Sequence, residues 1–122
     1  MKRDWDVVRK ILLKLEELED TSSQLEPDKI NGSDEETVSY HMHLLDQAGL
    51  IKAKCSGRNP LNCVALSLTW KGHEFLDKIR QDTVWNQVKK AAREKSISLS
   101  IDVIASLADR VISSIISGDV GG

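Results

Sequence analysis

Apolar residues recur at helical spacing along several stretches of this chain and give way to short β-prone runs in the middle, and the order of these stretches predicts a fold. Over residues 4–18, Trp5, Val8, Leu12, Leu15 and Leu18 fall on one stripe, with Arg9, Lys10, Lys14, Glu16 and Glu17 around the rest. That is a first amphipathic helix facing a core. From residue 19 to 32 the chain turns polar, Pro27 forbids a long helix, and Leu25 and Ile30 are the core candidates, so a full second helix barely fits. Ser33, Asp34, Glu35 and Glu36 match a capping box, which starts the next helix at Asp34. Val38, Met42, Leu45 and Ala48 carry that helix to Gly49, where a left-handed residue closes it and Leu50 packs back.

Two strand-like runs, 50–55 and 63–68, bracket a turn marked by Gly57 and Asn59-Pro60. They predict an antiparallel hairpin with Arg58 at its exposed tip. Thr69 then caps a helix with Trp70, Phe75, Leu76 and Ile79 as apolar contacts, and Asp82-Thr83 restarts or bends it before Val84, Trp85, Val88 and Ala92. A short extended segment at 97–100 precedes a last helix over 101–116, whose Ile104, Leu107, Ala108, Val111, Ile112 and Ile115 form an aliphatic face. The predicted class is mainly α with a small β-hairpin, a winged-helix domain plus C-terminal helices. It divides into a core over 1–95, an amphipathic helix over 96–117 that packs on the core or at a dimer interface, and a frayed tail over 118–122.

Composition agrees with a helical globular protein: 122 residues, 40% hydrophobic, 30% charged, 2 Pro. The basic start lacks an apolar run with a cleavage site, and the 97–116 stretch is interrupted by Asp102, Asp109 and Arg110. Neither a signal peptide nor a membrane span is expected, and the expected location is the cytoplasm. There, Cys55 and Cys63 are expected as reduced thiols that pack as small hydrophobes, although they can face each other across the hairpin. With no Cys-x-x-Cys pair and no His-x3-His, their spacing argues against a zinc site. Absence of a Gly-rich phosphate loop, a nucleophile elbow or a carboxylate dyad leaves no catalytic residues to name, so neither enzymatic activity nor a cofactor is expected.

The net charge of -2 is unevenly spread. Residues 34–49 hold Asp34, Glu35, Glu36 and Asp46 and no Lys or Arg, whereas 50–68 hold only Lys52, Lys54 and Arg58. Basic surface thus lies on the hairpin and on the helix after it, where Lys71, Lys78, Arg80, Lys89 and Lys90 follow. On a wheel anchored at Val38, the outward side holds Glu36, Ser39, Tyr40, His43, Asp46 and Gln47, while His41 falls inward as a buried, hydrogen-bonded residue. Ser39, Tyr40 and His43 have the polar reach to read base edges in a major groove. A solvated helix face is the other reading, and the acidic first turn favours it. Lys52, Lys54 and Arg58 are what a phosphate-contacting wing needs; the alternative is protection of an edge strand. Trp5, Trp70 and Trp85 sit at core spacings as packing anchors, and an exposed one would reopen a base-stacking role. Ile104, Leu107, Val111 and Ile115 either pack on the first helix or join two copies.

Two stretches go beyond composition: the run from Met1 to Asp6 with Arg9, Lys10, Ile11 and Leu12, and the run from Leu68 through Thr69, Trp70, Lys71, Gly72 and His73 to Trp85. Together they resemble a bacterial and prophage family of short proteins known as a domain of unknown function, which implies a winged-helix-like fold and a mobile-element context. Val38, Ser39, Tyr40, His41 and Met42, with Leu45 and the run 48–51, also resemble the recognition segment of small winged-helix repressors. That resemblance would make Ser39, Tyr40 and His43 DNA readers. The expectation is a small DNA-binding transcriptional regulator that meets double-stranded DNA through the wing and residues 69–95, as a homodimer. Its rival is a module that binds a host or phage protein through the acidic helix 34–48 or the last helix.

Overall fold

The computed structural model describes residues 1–118. Its elements are α1 (Trp5–Glu16), a 3-10 turn (Pro27–Lys29), α2 (Glu35–Gln47), β1 (Ile51–Ser56), β2 (Asn62–Leu68), α3 (Trp70–Ile79), α4 (Asp82–Glu94) and α5 (Ile101–Ile116). This is the expected mainly α chain with one small hairpin, in a winged-helix-like layout. It divides into two compact units, Met1–Glu74 and Phe75–Gly122, with the boundary inside α3. Of the tail expected to fray, only Gly118 is among the described residues.

In the first unit, Asp4 caps α1 by accepting the N–H groups of Asp6 (2.9 Å) and Val7 (3.4 Å). The helix buries Val7, Val8, Ile11, Leu12 and Leu15. The stripe is therefore turned toward Val7 and Ile11, and Trp5 and Leu18 lie half-buried at its ends. Trp5 carries the Arg3 guanidinium 4.5 Å from its ring centre, a cation–π contact. The second helix is reduced to the 3-10 turn, opened by Pro27, whose missing N–H costs nothing at that position. Leu25 and Ile30 are both buried, as expected.

Asp34, and not Ser33, caps α2: its Oδ1 accepts the Thr37 N–H at 2.7 Å, and the helix starts at Glu35. A carboxylate is the stronger acceptor, which settles the start in favour of the aspartate. Hydrogen bonds from the Thr37 side chain and then from its backbone hold the Asp34 carboxyl below the usual carboxylate range. At the other end Gly49 takes φ +79°, its N–H meets the Asp46 carbonyl (3.1 Å), and the Leu50 N–H reaches back to Leu45 (3.0 Å). These are the two bonds of a Schellman closure.

The hairpin pairs Ile51 with Leu68 and Lys52 with Ser67, then shifts at a bulge so that Ala53 meets Ala65, Lys54 meets Val64 and Cys55 meets Cys63. On the outer edge of β2, Leu25 and Ala65 exchange N–H···O bonds (2.8 and 3.0 Å), and the Cys63 N–H donates to the Ser39 hydroxyl (3.0 Å). β2 is thus satisfied on both sides although only one strand flanks it. The expected pair of free thiols is corrected here: Cys55 and Cys63 form a disulfide, with Cα atoms 4.0 Å apart. The register brings them directly opposite, a fact that an argument from cellular compartment does not contain. Only Cys63 is buried; Cys55 is exposed.

In the second unit, α4 buries Val84, Trp85, Val88 and Ala92 and packs on α5. α5 in turn buries Ile104, Leu107 and Ala108. Lys78 bonds Asp109 at 2.9 Å, tying the end of α3 to α5. After α4 the chain closes as α2 does, with Ser96 N–H on Arg93 (3.2 Å) and Ile97 N–H on Ala92 (2.9 Å). The left-handed position is held by Ser96, at φ +53°, where a Cβ is penalised. Ser96→Gly is expected to stabilise the chain by about 1 kcal/mol, read as a raised midpoint in thermal unfolding. The segment 97–100 forms no strand; Ser100 caps α5 through the Val103 N–H (3.2 Å).

Candidate nucleic-acid interface

α2 lies against α1 and both strands, so more than one of its sides is covered. This is why the wheel misplaces one residue. Ser39, expected to face outward and read bases, is buried at 1% exposure beneath β2, where its hydroxyl serves the Cys63 N–H. It is withdrawn as a base reader. His41 lies inside as expected: its Nε2 accepts the Asp4 N–H (2.8 Å) and its Nδ1 lies 2.8 Å from the Thr37 carbonyl. Two acceptor-donor roles fix one tautomer, with the proton on Nδ1.

Tyr40 and His43, on the remaining open side of α2, line a surface hollow of about 400 Å³ together with Glu36 from the same helix, Gly57, Arg58 and Leu61 from the hairpin turn, and Met1. Arg58 is exposed at the tip, as predicted. Three of the candidate residues, 40, 43 and 58, are therefore brought together by the fold across a gap of many positions in sequence. The hollow offers a phenol, an imidazole and a guanidinium fork, with the Glu36 carboxylate on its helix side. Arg58 suits a phosphate, and the phenol and imidazole suit polar base edges. Glu36 shares the outward side of the wheel with Tyr40 and His43, and Gly57 sits beside Arg58 in the turn, so both carry a signal in the sequence; Met1 and Leu61 carry none.

The other candidates lie elsewhere. Lys54 is exposed on β1, and Lys52 is exposed near the hairpin base, where it lines a separate hollow of about 520 Å³ with Glu16, Glu19, Asp20 and His73. Asp20 is held below the usual carboxylate range by hydrogen bonds from the side chain of Ser23 first and of Ser22 next. Lys71 Nζ reaches the Ala48 carbonyl (3.4 Å), at the end of α2 where the helix dipole favours a cation. Trp70, expected as a packing anchor, is 82% exposed. It sits directly after the cap Thr69, whose Oγ1 accepts the Gly72 N–H (3.0 Å), and the first turn of α3 points it outward. Of the apolar interface candidates on α5, Ile104 and Leu107 are buried within the second unit, Val111 is half-buried and Ile115 is 41% exposed. Among the described residues no helix is long and apolar enough to cross a membrane, and no three His, Cys, Asp or Glu side chains gather as a metal-binding group.

A helix, a 3-10 turn, a helix and a hairpin in this order, with α2 and the hairpin tip lining one surface hollow, define a helix-plus-hairpin domain of winged-helix-like layout. The chain belongs to the family described as "Hypothetical protein (DUF2513)", which matches residues 2–98. It is 50% identical over 118 residues to a protein of Haemophilus influenzae strain Rd described as "Uncharacterized protein", a match covering 96% of this chain and 100% of that one. No solved structure matches it.

Proposed function

We propose that this chain is a non-enzymatic, prophage-type regulator that binds double-stranded DNA through its first unit. The observation that carries this reading is the shared hollow of Tyr40, His43 and Arg58. A duplex seated on it would receive a phosphate contact from Arg58 and polar contacts to base edges from Tyr40 and His43, with exposed Lys54 adding a second cation on the same hairpin. The acidic first turn of α2 opposes a helix entering the major groove end-on, so the hairpin leads and α2 follows from the side. So few cations give modest affinity that collapses with salt, which is why a homodimer belongs to the proposal.

Arg58→Ala and Lys54→Ala are each expected to weaken binding about equally on all duplexes and to lower the salt slope by about one unit. Tyr40→Ala or His43→Ala would instead change sequence preference. Binding isotherms at two salt concentrations separate these effects, and no affinity for any duplex at low salt ends the reading. A second reading, a module that binds a host or phage protein, is favoured by Trp70, since exposed tryptophans are frequent anchors of protein interfaces. Capture from the natural host with and without nuclease distinguishes the two: a partner retained after nuclease treatment, and lost in Trp70→Ala, supports the second.

A further inference from the structure

We propose that the Cys55–Cys63 pair is a thiol–disulfide exchange site that governs the order of the hairpin tip, its reaction partner being a dithiol reductant. The proposal that this order tunes DNA binding rests on the reading above; the exchange site does not.

Three features make the pair more than a staple. First, the register places the two cysteines opposite each other, and only the Ser56–Asn62 pair lies beyond them before the turn. Residues 57–61, which include Arg58, are therefore closed by the crosslink and by that one pair. Second, the pair has no ladder hydrogen bond of its own to fall back on. The Cys63 N–H points away from β1 to the Ser39 hydroxyl, which marks a narrow, non-hydrogen-bonded pair. Third, the two sulfur-bearing residues are unequal. Cys63 is 1% exposed and fastened to α2, whereas Cys55 is exposed on the outer strand.

Access decides which sulfur is attacked. A thiolate of the reductant attacks Cys55 Sγ, the S–S bond breaks, and Cys63 leaves as a thiolate that takes up the proton given by the attacking thiol. The second thiol of the reductant then attacks its own sulfur in the mixed disulfide, freeing Cys55 as a thiol. Two electrons pass to the protein and the reductant leaves as a disulfide, so atoms and charge balance. Oxidation of the reduced pair runs the same steps backward with a disulfide donor. Once open, β1 is released from covalent attachment to the strand anchored on α2, and the tip that carries Arg58 loses its closure.

The test uses the full chain equilibrated with mixtures of reduced and oxidised dithiothreitol, followed by thiol alkylation, intact mass and amide hydrogen exchange. The pair is expected to titrate between two thiols and one disulfide, and amides in 56–62 are expected to exchange about ten-fold faster in the reduced chain, while α2 is unchanged. Cys55→Ala, at an exposed position, is expected to match the reduced chain in every mixture. Duplex binding is expected to be about five-fold tighter for the oxidised chain, because the tip is ordered in advance. A pair that stays reduced in the most oxidising mixture, or equal exchange in 56–62 in both states, overturns the proposal. Redox-dependent exchange in 56–62 with no duplex binding in either state upholds the exchange site and removes the DNA reading instead.

Discussion

Gly72→Ala is expected to destabilise the first unit by about 3 kcal/mol, near the upper end for overpacking a closed contact. A Cβ at Gly72 would lie 1.9 Å from the Leu50 carbonyl oxygen and 3.0 Å from its carbon. That carbonyl cannot step aside cheaply, because it accepts the Thr69 N–H at 3.0 Å and belongs to the residue that closes α2. The start of α3, the end of α2 and the base of the hairpin meet at this point, so relief of the clash must separate elements and not merely turn a side chain. Gly49→Ala supplies the comparison. Its Cβ would meet nothing within 4 Å, and only the left-handed φ of +79° is penalised, so a loss of about 1 kcal/mol is expected. Urea unfolding followed by circular dichroism reads both; equal midpoints for the two variants would contradict the close-approach argument.

His41→Ala is expected to cost a similar amount, about 3 kcal/mol, for different reasons. The imidazole is fully buried, so its removal leaves a cavity, and it also leaves the Asp4 N–H without an acceptor at the head of α1. His41→Leu refills most of the volume while leaving the same N–H unpaired, and a loss of about 1–2 kcal/mol is expected for it. The difference between the two variants in the same unfolding experiment isolates packing from hydrogen bonding. If both cost the same, the cavity contributes nothing.

What the sequence disclosed and what it withheld divide along physical lines. Signals that act over a few residues were legible: the left-handed Gly49, the Thr69 cap, the Pro27 interruption and the turn between the strands each impose their geometry locally. Apolar spacing placed α5 over the observed Ile101–Ile116 and put His41 inside. Competing local signals were harder, as at Ser33 and Asp34, two good caps in succession. Ser39 departs from the wheel because a wheel assumes one buried side, whereas α2 is covered by α1 and by the hairpin. Trp70 departs from its expected burial for a different reason: core spacing places an aromatic ring on a face but does not say that a neighbour covers it. The disulfide and the hollow of Tyr40, His43 and Arg58 depend on strand register and on the docking of the turn beside α2. Such facts exist only once distant parts of the chain have met.

The position of Met1 on the rim of that hollow bears on how the protein is handled. Asp4 is fastened to His41 through its backbone N–H, and the chain ahead of α1 runs toward Tyr40 and His43. Any affinity handle or fusion partner joined in front of Met1 would emerge where a ligand is expected to sit, and a histidine-rich or basic handle would add its own attraction for polyanions. Binding measured on such a fusion would mix the behaviour of the handle with that of Arg58, which makes removal of every added residue before Met1 a condition of a clean assay.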